Sequence, residues 1–317
     1  MKYGYLKEIG KDASRIFFGT AAKSFLSGEN CDELLDRIYD LGINSFDTAR
    51  NYGLSEKSLG KWLKNKKRED VIVLSKGGHP GLLGNKRISE KEINKDLNRS
   101  LELLQTDYID IYLLHRDDTD KNVSEIVDIL NKFYKEGKIK AFGGSNWTYQ
   151  RIKEANEYAL GHNLVPFTFS SPNYGLARQV NDPWGFGCVS LSGDKEAIDW
   201  YIDNQMPIIA YSSLARGFFS GKVSSLHPEL AKKILDKNAY KGYVSDDNFE
   251  RLRRCEQLSK EKNCTVARLA LAYIFNQKMN TFSIVSASNK ERMEGNIKSL
   301  DIVLNEEELK WLDLQPV

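Results

Sequence analysis

The sequence predicts an α/β fold, specifically a closed (β/α)8 TIM barrel, and three observations carry the expectation. Short β-branched or aromatic runs alternate with amphipathic stretches, the alternation repeats eight times, and no Pro/Ser-rich linker, low-complexity tract or abrupt change of charge divides the 317 residues. That alternation is the pattern of βα units around a parallel sheet, and barrels of roughly 250 residues or more commonly form one domain. One barrel domain over residues 1–317 is therefore expected. An open doubly wound sheet would normally carry a G-x-G-x-x-G turn after its first strand. Here Gly19 stands alone and Gly185-Phe186-Gly187 lacks the third glycine, so any dinucleotide is held by other means.

In chain order the expected strands are 15–21, 43–47, 71–76, 108–115, 139–145, 167–171, 207–211 and 281–287. Helices fill the gaps. Leu34, Leu35, Ile38 and Leu41 fall at helical spacing over 32–41, as do Val123, Ile126, Val127 and Leu130 over 123–133, and Gly42 and Gly137 follow as terminators. The segment after Leu300 reads as a helix containing Trp311, with no long loop to close over a ligand. Two stretches exceed simple connections, 172–193 after the sixth strand and 212 to about 246 after the seventh, and long loops after barrel strands are where function is expected.

Composition supports a packed core: 41% hydrophobic residues, 28% charged residues and a mean hydropathy of -0.50. A formal charge of +2 with both signs interspersed argues against nucleic acid or an anionic membrane as partner. Four cysteines, Cys31, Cys188, Cys255 and Cys264, lie far apart without C-x-x-C spacing, so neither zinc nor a disulfide framework is suggested. Residues 1–10 carry Lys2, Lys7 and Glu8 and no apolar core of a signal peptide, and nowhere do eighteen apolar residues run together. A cytoplasmic protein with reduced thiols is expected.

Titratable residues concentrate at the ends of the expected strands: Asp47 ends the second, Lys76 the third and His115 the fourth, with Tyr52 close behind Asp47. Strand C-terminal ends converge on one face of a barrel, so residues distant in sequence can form one site. Taken singly, each has an ordinary structural reading as a loop tyrosine, a paired strand-end charge or a partly buried histidine. Together they suit carbonyl reduction, in which hydride attacks carbon while an acid protonates the developing alkoxide. Tyr52 is the candidate acid, Lys76 the cation that assists it, Asp47 the partner that orients Lys76, and His115 the donor that positions the carbonyl oxygen.

At this point the chain resembles the aldo-keto reductases over essentially its whole length, in the bacterial branch similar to the potassium-channel β-subunits. Phe46-Asp47-Thr48-Ala49, Tyr52-Gly53, Ser55-Glu56 and Leu59-Gly60 resemble the block D-T-A-x-x-Y-G-x-S-E-x-x-L-G, and Lys76 and Leu113-Leu114-His115-Arg116 resemble the Lys and His segments. The resemblance implies NADPH as cofactor, with NAD as the alternative, and a small-molecule carbonyl as substrate. Gly137-Lys138-Ile139 with Gly143-Gly144-Ser145-Asn146 resembles the stretch whose Ser-Asn pair binds nicotinamide carboxamide, so Ser145 and Asn146 inherit that role, joined by Asp47, Thr20 and Ser171. In Ala210 to Gly217, Tyr211 is the expected stacking platform, with Ser212, Leu214 and Gly217 in the pyrophosphate loop. Ile284 to Asn296 resembles the adenosine-phosphate site, which gives Ser286, Ser288, Arg292 and Asn296.

The chain departs from the family pattern at four positions. Ser171 replaces a carboxamide-binding Gln, Ser213 a Pro, Gly295 an adenine-contacting Glu and Asn289 a Lys, leaving Arg292 to carry most 2′-phosphate recognition. His115-Arg116-Asp117 with Asn122 satisfies the protein-kinase pattern H-R-D-x-x-x-x-N, but the glycine loop, D-F-G and A-P-E are absent. Asp117, Asp118 and Asp120 lack EF-hand spacing, and no metal site is expected. Substrate contacts are expected from Tyr52, His115 and Trp147, with the 173–184 loop and Phe218 completing a fairly open aromatic pocket. The rival reading is a nicotinamide-binding redox sensor or regulatory subunit with little turnover. Oligomeric state is not legible.

Overall fold

The computed structural model describes residues 1–81 and 83–316. The chain opens with an antiparallel hairpin, β1 (Tyr3–Leu6) and β2 (Lys11–Ser14), paired from Tyr3↔Ser14 to Leu6↔Lys11. Eight parallel strands follow: β3 (Ile16–Gly19), β4 (Ser45–Asp47), β5 (Ile72–Gly77), β6 (Ile109–Leu114), β7 (Ile139–Ser145), β8 (Phe169–Ser171), β9 (Ile208–Ala210) and β10 (Thr281–Val285). They close into a barrel in the order β10-β3-β4-β5-β6-β7-β8-β9. All eight expected strands are present, each within its expected range or one residue beyond it. The fold is the (β/α)8 barrel.

Two separate apolar cores explain why this sequence closes. Strand residues facing inward, including Phe17, Ile72, Leu74, Ile111, Leu113, Phe169, Ile209 and Phe282, fill the barrel, and Leu6 and Ala13 of the hairpin join them. The hairpin therefore caps the N-terminal ends of the strands, and Lys11 donates from it to Val71 O at 3.3 Å. Residues facing outward pack against the helices in a second cluster that includes Phe18, Phe46, Val73, Tyr112, Leu114 and Phe142. Strands buried on both faces read as continuous apolar runs, which is why they were legible. Fully burying one such side chain contributes about 1.5–3 kcal/mol.

The helix Val123–Lys135 turns Val123, Ile126, Val127, Leu130 and Phe133 inward, and Gly137 at φ +74° ends it. Asp32–Tyr39 buries Leu35 and Ile38 and ends near Gly42 at φ +87°. Gly60 is required by close approach: a Cβ there would lie 2.1 Å from Leu103 O, so the helix Ser55–Leu63 packs on Glu90–Leu104 only with glycine at that point. The stretch after β9 holds short helices, Ala231–Ile234 and Lys237–Tyr243, ahead of Asp246–Glu261. The helix expected after Leu300 is Glu306–Leu312. No helix among the described residues is long and apolar enough to cross a membrane.

Candidate active site

Parallel pairing sets the geometry of the candidate site. Phe46 pairs with Val73 and Asp47 with Leu74, while Lys76 pairs with Leu113, so Asp47, Lys76 and the residue after β6, His115, emerge side by side at the C-terminal ends. His115 N donates to Gly77 O at 2.8 Å and extends that ladder. Tyr52 arrives from the loop between β4 and the helix Ser55–Leu63.

Asp47 and Lys76 are each 2% exposed and form an ion pair, and Lys76 also donates to Thr48 O at 3.0 Å. The Lys76 ammonium lies 5.2 Å from the Tyr52 ring centroid, and the Tyr52 and His115 rings meet edge to face at 5.7 Å. Four residues spread over 69 positions of sequence thus form one cluster. Burial pulls the Lys76 ammonium down, but Asp47 and then Tyr52 more than offset it, and Lys76 is held protonated. Burial pushes the Tyr52 phenol up against the opposing pull of Lys76, so the proton stays on the oxygen at neutral pH. Burial, then Lys76, Arg116 and His79, drives His115 well down and leaves it neutral.

The motif's Glu56 serves from below. Its fully buried carboxylate accepts from Ser75 Oγ at 2.8 Å and from Arg50 at 2.6 Å, while Ser55 Oγ donates to Thr20 O at 2.9 Å. Asn146, at φ +59°, ties three elements together. Its Nδ2 donates to His115 O and Ser145 Oγ at 3.2 and 3.1 Å, and its Oδ1 accepts from Tyr211 OH at 2.6 Å and Val189 N at 3.2 Å. Ser213, in place of the family's proline, donates to Ala210 O and Ile284 O at 3.3 and 3.2 Å and accepts from Ser283 Oγ at 2.7 Å, which stitches β9 to β10.

One continuous cavity of ≈ 1050 Å³ starts at this cluster and runs past Tyr211, Ser212, Leu214 and Gly217 to Ser286, Arg292 and Asn296. Asp47, Ser145 and Asn146 line it as well. Five expected site residues do not. Thr20 is fully buried with Oγ1 on Asp47 O, and Ser171 is fully buried with Oγ on Ile209 O at 2.7 Å, so both hydroxyls are spent inside the wall. Ser288 lies beyond the lining and is met by Arg292 Nη1 at 3.5 Å. Trp147 is 1% exposed and packs on Phe167 at 4.9 Å, outside the barrel, in room left by Gly144, where a Cβ would sit 2.4 Å from the indole. The expectation of Trp147 as a substrate wall is corrected on that ground. Phe218, fully buried among Phe219 and Phe249, is likewise no part of the cavity.

Trp184 does line the cavity, with the Arg216 guanidinium 3.9 Å over its ring and Arg216 paired to Asp236 at 2.9 Å. Sequence reasoning missed His79, Arg116 and Arg268. Arg116 immediately follows His115 and was legible by adjacency. Arg268 comes from the helix Val266–Phe275 and carries no local signal, yet it lines the far end and donates to Gly295 O at 3.1 Å. Asn289, where the family often has Lys, accepts from Arg292 N at 2.9 Å and caps the helix Lys290–Ile297.

A parallel barrel with a buried acid, base and cation cluster opening into one long cleft describes an oxidoreductase scaffold. The description "Aldo/keto reductase family" matches residues 15–314, and the chain belongs to that family, oxidoreductases that act on carbonyl compounds with a nicotinamide cofactor. It is 26% identical to an L-glyceraldehyde 3-phosphate reductase of Escherichia coli over 88% of this chain and 82% of that protein. It is 25% identical to a candidate voltage-gated potassium channel subunit beta of Schizosaccharomyces pombe, over 90% and 83%. A thermostable aldo-keto reductase crystallised with the inhibitor epalrestat superposes with a TM-score of 0.74 at 22% identity, over 99% of both chains, and shares the fold.

Proposed function

We propose that the protein is an NADPH-dependent reductase that converts an aldehyde or ketone to its alcohol, with Tyr52 as proton donor. The carrying observation is the single cavity that joins the Tyr52, Lys76 and His115 cluster to Arg292 and Arg268. Its size lies at the upper end of ordinary ligand pockets, which run to roughly 1,000 Å³, and its length from the Tyr52 cluster to Arg292 suits an extended ligand such as a dinucleotide. Arg292 and Arg268 have no carboxylate within ion-pair distance among the described residues, which leaves two cations for a 2′-phosphate and favours NADPH over NADH.

Bound nicotinamide supplies the hydride. Tyr211, whose hydroxyl donates to Asn146, would offer its ring as the stacking surface for the nicotinamide. Tyr52 releases its proton to the carbonyl oxygen, and the protonated Lys76 stabilises the phenolate left behind. His115 Nδ1 is sealed without a partner, so the hydrogen bond that positions the carbonyl comes from Nε2.

The test follows NADPH oxidation with an activated aromatic aldehyde in the native protein and in Tyr52→Phe, which keeps the ring and removes the acidic proton. Turnover that falls roughly a hundredfold or more in the variant is the expected result. The similarity to a channel subunit supports a second reading, redox sensing with little turnover. NADPH binding without oxidation in the native protein would move that reading ahead.

A further inference from the structure

The catalytic end of the cavity carries one charge too many. Lys76 is matched by Asp47, and His79 and His115 are both pushed toward the neutral form by burial. Arg116 lines the same end, is 5% exposed, and has no carboxylate within ion-pair distance among the described residues. Only one of its contacts is short: Nη1 donates to His115 O at 2.8 Å, whereas Nη2 reaches Gly185 O and Cys188 Sγ only at 3.4 and 3.6 Å, and Nε is buried with no partner. The acids around it are committed elsewhere. Asp117 pairs with Arg151 and Asp118 with Lys86, while Asp182 accepts from the backbone N–H of Trp184, Gly185, Gly187 and Cys188.

A buried guanidinium without a counterion costs several kcal/mol, a cost that a structural arginine avoids by pairing. Its charge is also central to the site, since it acts on Tyr52, His115, His79 and Tyr211 alike. A cleft with one uncompensated cation raises the local concentration of anions and holds them by charge-assisted hydrogen bonds.

We infer that Arg116 is the anchor for a negatively charged group on the substrate, so that the carbonyl compound reduced here is an anion, a carboxylate or a phosphate monoester, rather than a neutral aldehyde. The inference rests on the reductase reading and names its substrate class. It also separates Arg116 from Lys76, which serves the proton.

The experiment compares kcat/KM for 4-carboxybenzaldehyde, 4-formylphenyl phosphate and the neutral methyl 4-formylbenzoate, at low ionic strength with NADPH. Preference of the native protein for either anion over the ester by tenfold or more is expected, and which anion leads tells carboxylate from phosphate. Arg116→Met should reduce that anion-to-ester ratio at least tenfold, mainly through KM, and Arg116→Lys should retain part of it. A smaller native preference overturns the inference. So does an equal loss for all three substrates in Arg116→Met, which assigns the charge to tuning Tyr52 and His115 instead. Should Arg116→Met not fold, competition by benzoate but not benzamide against the ester in the native protein decides the same point, and equal inhibition by the two overturns it. Turnover of the ester alone defeats the anion anchor and spares the reductase reading, whereas no turnover of any substrate by NADPH-loaded protein defeats both.

Discussion

Two buried carboxylates sit at opposite ends of this barrel and are used in opposite ways. Asp110, near the N-terminal end of β6, is 1% exposed and accepts from Lys11 and Arg68 at 2.7 Å each and from Val73 N at 3.0 Å. Donors from the hairpin, the short 3-10 helix Arg68–Asp70 and a strand surround it with polar partners facing one another. Asp47, at the C-terminal end, has one cation that it shares with Thr48 O and the Tyr52 ring, and the same cavity is lined by a second cation, Arg116, that has no carboxylate within ion-pair distance among the described residues. The lower end spends its polar groups on each other, as a stability device does. The upper end leaves them short of partners, which is the condition for holding a ligand and shifting pKa values.

The comparison is broken most severely at the upper end. Lys76→Met should lower kcat by roughly a hundredfold to ten-thousandfold, because the proton on Tyr52 loses the cation that stabilises its departure. NADPH binding, followed by quenching of protein fluorescence, should persist. Activity within tenfold of native would show that Lys76 is only Asp47's counterion, and the two ends would then be alike.

Asp110→Asn probes the other end. It should cost about 3 kcal/mol in chemical denaturation, discounted for the 22% and 15% side-chain exposure of Lys11 and Arg68, and move kcat by less than about twofold. A rate effect larger than the stability effect would mean that the hairpin cap is coupled to the site across the barrel.

The sequence made the upper end far more legible than the lower. β-branched runs such as those around Ile72 and Ile109 announce strands because both faces are buried, and Asp47, Lys76 and His115 follow from where those runs stop. The hairpin did not announce itself: its strands have four residues each, with only Leu6 and Ala13 adding apolar side chains to the barrel core and charges between them. Nor could spacing say which of 46 basic residues lack an acid, since that depends on approach in space, as for Arg116 and Arg268. Trp147 and Trp184 looked equivalent in sequence. Gly144 made a seat for one outside the barrel, and the other went to the cavity.

The smallest expected effect sharpens the contrast through pH. His115 is 6% exposed, and burial followed by the charges of Lys76, Arg116 and His79 puts its pKa well below the ordinary 6.5. A base depressed in this way is neutral when folded and binds a proton on unfolding, so its contribution to stability is present above pH 6.5 and is lost as pH falls toward the folded value. The slope is at most about 1.4 kcal/mol per pH unit between pH 6.5 and 5, before most carboxylates titrate. His115→Gln removes this group and should reduce the slope to the part that His79, also lowered by burial, contributes, while Asp110→Asn should leave it in place. Parallel loss of stability in native protein and His115→Gln over this window would mean that His115 takes a proton freely in the folded state. An imidazolium beside Lys76 and Arg116 would need a counterion, and the upper end would then not have the unmatched cation that sets it apart from the lower.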